Sequence, residues 1–212
     1  MNHTRYRRQV LSLGSQTRGV NAGQRRYFDR AAGITMVRVF QGDYYATSNP
    51  NEALTTTLGS CIAVCMRDPI IRFGGMNHFV LPAPSRNRED AASLAMRYGS
   101  FAIEQLINVI LGEGGQRQRL EVKIFGGANI IKGMGAVGFH NADFVEEYMD
   151  RERMKVVAEH LRGSVPRKIR YWPATGLVQM RELQSKTAAE IFDQEARLQA
   201  GTIETGKVEL FR

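Results

Sequence analysis

A chain of 212 residues with 43% apolar and 24% charged content is long enough to bury one full hydrophobic core and too ordinary in composition for a disordered or fibrous protein. The formal charge of +8 suggests a nucleic-acid binder until it is divided: residues 1–30 hold seven arginines against one acid, +6, and the 22 basic and 20 acidic residues that remain leave the body at +2. No stretch approaches the roughly 20 apolar residues of a membrane span, and two cysteines without a second pair make a poor zinc site, so the reading is a cytoplasmic protein with no membrane insertion, no nucleic-acid partner and no metal.

Residues 1–32, rich in Arg, Gln and Gly with little apolar periodicity, read as a flexible basic arm. Residues 33–183 read as the folded domain. "TMVRVFQGDYYAT" mixes β-branched and aromatic residues around a Gly-Asp turn and suits a strand or hairpin. "ALTTTL" then leads into "CIAVCMRD", and "RFGGMNHFVLP" follows after "DPIIR", which predicts an antiparallel pair. From Arg88 to Leu111 apolar residues recur every three or four positions, the mark of an amphipathic helix, and Gly112, Gly114 and Gly115 end it. "RLEVKIFGGAN" returns to strand alternation. "NADFVEEYMDRER" predicts a second helix capped by its leading Asn141. "MKVVAEHL", "RKIRYWP" and "GLVQMREL" predict three more strands, the last two joined by a turn at Thr175 and Gly176, and 184–212 reads as a polar tail with a weak helical stretch. The sum is an α/β (α+β-like) fold: a single layered domain of mixed, largely antiparallel sheet with packed helices.

The chemistry-bearing candidates lie in the first half. Gly59 and Ser60 imply a turn that sets Cys61 at a strand start, where a thiol can be reached. Cys65 shares its face of the strand but lies deeper in the apolar run and should be inert. Of four histidines, His78 alone sits on the strand adjacent in sequence to the one carrying Cys61, where it can lower the thiol pKa and form a thiolate–imidazolium pair. Thr55, Thr56 and Thr57 precede the turn, and a threonine hydroxyl there can orient an imidazole. "FGGANIIKGMGAVG" matches neither phosphate-loop spacing and reads as turns and close backbone approach.

Together "TLGSCIAVCMRDP", "GGMNHFVLP", "KIFGGAN" and "PRKIRYWPATGLV" resemble the chemoreceptor glutamine deamidases of the CheD family, over about Thr35 to Leu183. The resemblance implies a protein-glutamine glutaminase that converts glutamines of methyl-accepting chemotaxis proteins to glutamate, and in some members demethylates receptor esters, with no cofactor. It implies a Cys-His-Thr triad whose Thr stands six residues before the Cys, which falls on Cys61, His78 and Thr55. Backbone amides around Gly59 and Ser60 are then the expected oxyanion site. A CheC-type phosphatase is a further partner in part of the family. "VGFHN" puts His140 where the family often has Arg, which leaves that residue's role open. The competing reading is a non-catalytic module whose basic arm docks on acidic partners or on such a phosphatase.

Overall fold

The structure, a computed structural model, describes residues 26–82, 88–130 and 136–183. Ten strands and two long helices follow in the order β1 (Arg26–Asp29), β2 (Ile34–Arg38), β3 (Tyr44–Thr47), β4 (Glu52–Leu58), β5 (Ile62–Asp68), β6 (Phe73–Phe79), α1 (Arg88–Gly112), β7 (Glu121–Gly126), α2 (Val137–Arg151), β8 (Lys155–Leu161), β9 (Arg167–Trp172) and β10 (Leu177–Glu182), with a short 3-10 turn at Arg117–Arg119. They form two five-stranded sheets, β1-β2-β4-β9-β10 and β3-β6-β5-β7-β8. Most neighbours are antiparallel, with β2–β4 and β7–β8 the parallel pairs.

Two hydrophobic clusters divide the interior. One joins the sheets, with Val37, Leu54, Leu58, Ile169 and Tyr171 of the first facing Cys61, Ala63, Cys65, Met76 and Phe125 of the second. The other joins the second sheet to the helices, where Ile62, Val64, Met66, Val122 and Ile124 meet Ile103, Leu106, Ile107 and Ile110 of α1 and Val145, Tyr148 and Met149 of α2. The second sheet is therefore the middle of three layers, apolar on both faces, which is why "IAVCM" reads as a continuous apolar run without visible alternation.

The α/β single domain of the sequence reading is the observed class, with the sheet material split in two. Five strands on each sheet bury more apolar area than one open sheet with helices on one side, at roughly 25 cal/mol per Å² removed from water. The antiparallel β5–β6 pair and the β9–β10 hairpin stand where expected; in the latter, Gly176 takes a left-handed φ of 79° and its N–H bonds the Trp172 carbonyl at 2.7 Å. "TMVRVFQGDYYAT" is not a hairpin. Its halves β2 and β3 go to different sheets, so the Gly-Asp turn crosses the sandwich. The 1–32 segment ends inside the fold, since Arg26–Asp29 pairs with Ile34–Arg38 as β1, and Arg26 ion-pairs with the buried Glu52. The rest of the expected arm, 1–25, and the tail 184–212 with its helical stretch lie outside the described residues.

Candidate active site

β5 enters the middle sheet directly from the turn 59–61, and that turn is fastened from behind through its carbonyls. Gly59 O accepts from Ala128 N at 2.9 Å, Ser60 O from Asn141 Nδ2 at 2.8 Å and Cys61 O from Gly127 N at 2.9 Å. In a trans peptide the N–H points opposite to the preceding C=O, so the amides of Ser60 and Cys61 are turned away from the segment that holds these carbonyls. Gly126 and Gly127 make the fastening possible: their φ values of 120° and 68° are open to glycine, and a Cβ on Gly126 would collide with the Cys61 carbonyl. The close approach expected of "FGGAN" is therefore what these glycines do. Asn141 is not a helix cap. α2 begins four residues earlier, and Asn141 lies fully buried inside it, where its Nδ2 donates to Ser60 and its Oδ1 accepts from Leu81 N at 3.0 Å.

His78 arrives from β6. Its partner across the ladder is Ala63, so its side chain shares the face of Cys61 and Cys65, one diagonal step from Cys61. His78 is 7% exposed. Its Nδ1 lies 2.9 Å from Thr56 Oγ1 and 3.4 Å from the Val39 carbonyl. A carbonyl can only accept, so the tautomer that serves both neighbours carries its proton on Nδ1 and leaves a lone pair on Nε2. Nε2 is buried and has no hydrogen-bond partner among the described residues. Burial pushes the imidazole pKa down to about 4, against the opposing bond to Val39, so at neutral pH the ring is uncharged.

The structure does not bring Thr55 to His78. Along β4, Leu54, Thr56 and Leu58 face the second sheet while Thr55 and Thr57 face the other way, and the Thr55 hydroxyl donates to Ile169 O at 2.9 Å. Thr56 is the threonine that reaches the imidazole. Its bond is a cross-sheet link from β4 to β6. The odd-even phase of β4, readable from the apolar Leu54 and Leu58 two positions either side, was the signal that separates the two threonines.

Cys61 is 2% exposed, and its Sγ donates to Gln41 Oε1 at 3.5 Å from the loop between β2 and β3. Tyr98 of α1 stands close by: a Cβ on Gly42 would be 3.8 Å from its hydroxyl, and burial, then the charges of Cys61 and Asp43, hold its pKa above the ordinary value. Neither Gln41 nor Tyr98 carries a sequence signal. Cys65, 1% exposed, has its thiol pKa driven far up by burial, with Lys123 opposing. His140 is exposed on α2. Among the described residues no group of three or more His, Cys, Asp or Glu converges on a metal position, and no helix is long and apolar enough to cross a membrane.

The site thus brings a thiol at a strand start, a neutral imidazole with an unpartnered Nε2 on the same face and a threonine hydroxyl against that ring. A relative from Rhodopseudomonas palustris (strain BisA53) is 48% identical over 192 residues, 88% of this chain and 89% of its own length. The chain belongs to the CheD family. The family model for CheD chemotactic sensory transduction matches residues 80–182, the part that fastens the turn. CheD relatives from Cereibacter sphaeroides, 47% identical over 171 residues (81% of this chain, 84% of the relative), and Shewanella oneidensis, 40% over 191 (88% and 92%), match a comparable span. These relatives carry the name "Probable chemoreceptor glutamine deamidase CheD", numbered 1 in Shewanella oneidensis.

Proposed function

We propose that this protein hydrolyses glutamine side chains of methyl-accepting chemotaxis receptors to glutamate, with Cys61 as nucleophile, His78 as acid and base through Nε2, and Thr56 as the residue that orients His78. The observation that carries it is the buried, unpartnered Nε2 of His78 on the face of Cys61, with its tautomer fixed from the opposite sheet. The names of the CheD relatives supply the substrate class.

The resting pair is a thiol and a neutral imidazole, in place of the ion pair expected from sequence, because a ring with pKa near 4 stays unprotonated at pH 7. Nε2 takes the Sγ proton as sulfur attacks Cδ of the substrate glutamine, and the electron pair of the C=O bond moves onto oxygen. In this reading the amides of Ser60 and Cys61 stabilise that developing charge. The imidazolium returns its proton to the amide nitrogen, ammonia leaves and a thioester remains. Water, deprotonated by the same Nε2, then attacks the thioester, releasing glutamate and the Cys61 thiol. The balance consumes one water and releases one ammonia, and these steps call on no further group. With that substrate class, the proposal includes action in the cytoplasm.

Mass spectrometry of a receptor cytoplasmic fragment incubated with this protein and with Cys61→Ala tests the proposal. Glutamine-to-glutamate conversion at defined positions, absent with the variant, is expected. Equal conversion by both would remove Cys61 from the mechanism.

A further inference from the structure

Cys61 is placed like a nucleophile and yet is 2% exposed, which poses the question of what lies over it. Gln41, an exposed residue at the tip of the loop 39–43, turns its side chain inward so that the Cys61 thiol bonds its amide oxygen at 3.5 Å. The group over the thiol is a glutamine carboxamide, the group the proposed reaction consumes. The loop that presents it is tied to the strands that build the site. Val39 N donates to Thr55 O at 3.0 Å, Gly42 N to His78 O at 2.7 Å and His78 N to Asp43 O at 3.0 Å, while Asp43 N closes the turn onto Phe40 O at 3.0 Å. Gln41 is thus held by backbone on β4 and β6, with only its own side-chain torsions free to move it.

We infer that Gln41 is a built-in substrate mimic: its carboxamide stands in the place of the receptor glutamine, closes Cys61 to solvent, and must swing out before a substrate amide can enter. The contact is a hydrogen bond from the thiol to the amide oxygen, which keeps the proton on sulfur, so the mimic blocks without being consumed. Displacement is a rotamer change of an exposed side chain, which takes picoseconds to nanoseconds and needs no loop opening. An incoming receptor glutamine needs the space beside the thiol that the Gln41 carboxamide vacates.

This inference rests on Cys61 being the nucleophile, and its test is chosen to fail separately from the receptor assay. Cys61 alkylation by iodoacetamide, itself a small carboxamide, is followed by peptide mapping in the wild type, Gln41→Ala and Gln41→Glu, with Cys65 as the internal measure of an intact core. Loss of one hydrogen-bonded cover is expected to raise the Cys61 rate in Gln41→Ala by about 3- to 10-fold. Gln41→Glu, which sets a carboxylate beside the thiol and disfavours the thiolate, should stay at or below the wild-type rate, with Cys65 unlabelled throughout. On a receptor fragment, Gln41→Ala should lower KM with kcat little changed, a split that a merely structural residue would not give. Equal Cys61 alkylation in wild type and Gln41→Ala overturns the inference even where the receptor fragment is deamidated. Faster alkylation without deamidation by any variant keeps the gate and removes the proposed function.

Discussion

Cys61 and Cys65 lie four residues apart on the same face of the same strand, both almost fully buried, and share nothing else. Cys65 is in mid-strand, paired with Met76 on one side and Lys123 on the other, inside the apolar space between the sheets. There a thiolate finds no donor and the proton stays on sulfur. Cys61 stands where the strand begins, beside a base from β6, under an exposed side chain from the β2–β3 loop, and on a turn whose carbonyls are already engaged. Burial alone therefore does not separate the proposed nucleophile from its neighbour. What separates them is whether polar groups from neighbouring elements converge, and at the end of β5 they arrive from both sheets and from α2.

The comparison breaks most sharply on replacement. Cys61→Ala is expected to abolish deamidation of a receptor fragment, whereas Cys65→Ala should keep kcat within a few-fold and lower stability by about 1–3 kcal/mol through the cavity it leaves, read by denaturant unfolding. His78→Gln should cost about 10²- to 10⁴-fold in kcat, the usual worth of a positioned acid-base group. Comparable kinetic losses at Cys61 and Cys65 would erase the distinction.

A finer break separates the two threonines. Thr56→Val frees the His78 ring and should lower kcat by roughly 10-fold, with little change in KM, since a net hydrogen bond of 0.5–1.5 kcal/mol holds the ring in place. Thr55→Val takes a donor from Ile169 O and should lower stability by about 1 kcal/mol while leaving kcat near the wild type. A reversed pattern would return the orienting role to Thr55.

Burial of the neutral His78 also sharpens the comparison through pH. Its folded pKa of about 4 is below the ordinary 6.5, so the folded state favours the neutral ring. The corresponding stability is fully present above pH 6.5 and is lost as pH falls from there through 4, a change on the order of 3 kcal/mol between the two limits. Urea titrations of wild type and His78→Gln across pH 4–7 should show this slope in the former and its loss in the latter.

Much of this architecture is legible in the chain, and the misses have a common cause. Strand and helix identities follow from local pattern, because alternation, apolar periodicity and the Thr-Gly turn act over a few residues. The split into two sheets does not, since nothing local tells β2 and β3 to part across a Gly-Asp turn. Within the candidate site, that Cys61 and His78 share a face is legible because they lie on segments adjacent in both sequence and space. The family resemblance implies Thr55, six residues before Cys61, whereas the phase of β4 turns the Thr56 hydroxyl to His78 and the Thr55 hydroxyl to Ile169. Asn141 looks like a cap because asparagine favours that position, yet its partners Ser60 and Leu81 are 81 and 60 residues away and leave no local trace. Gln41 is invisible in the same sense: a polar residue in a loop acquires its meaning when the loop is laid over the thiol.

The proposed mechanism needs a resting His78 that is neutral, protonated on Nδ1, with Nε2 open to act as the base. Nitrogen-15 NMR of histidine-labelled enzyme reports both the charge and the tautomer of His78 directly, with His78→Gln to assign the signal. A neutral, Nδ1-protonated ring is expected from pH 8 down to about 5, gaining its second proton near pH 4. A ring already doubly protonated at pH 7, or protonated on Nε2 alone, would contradict it.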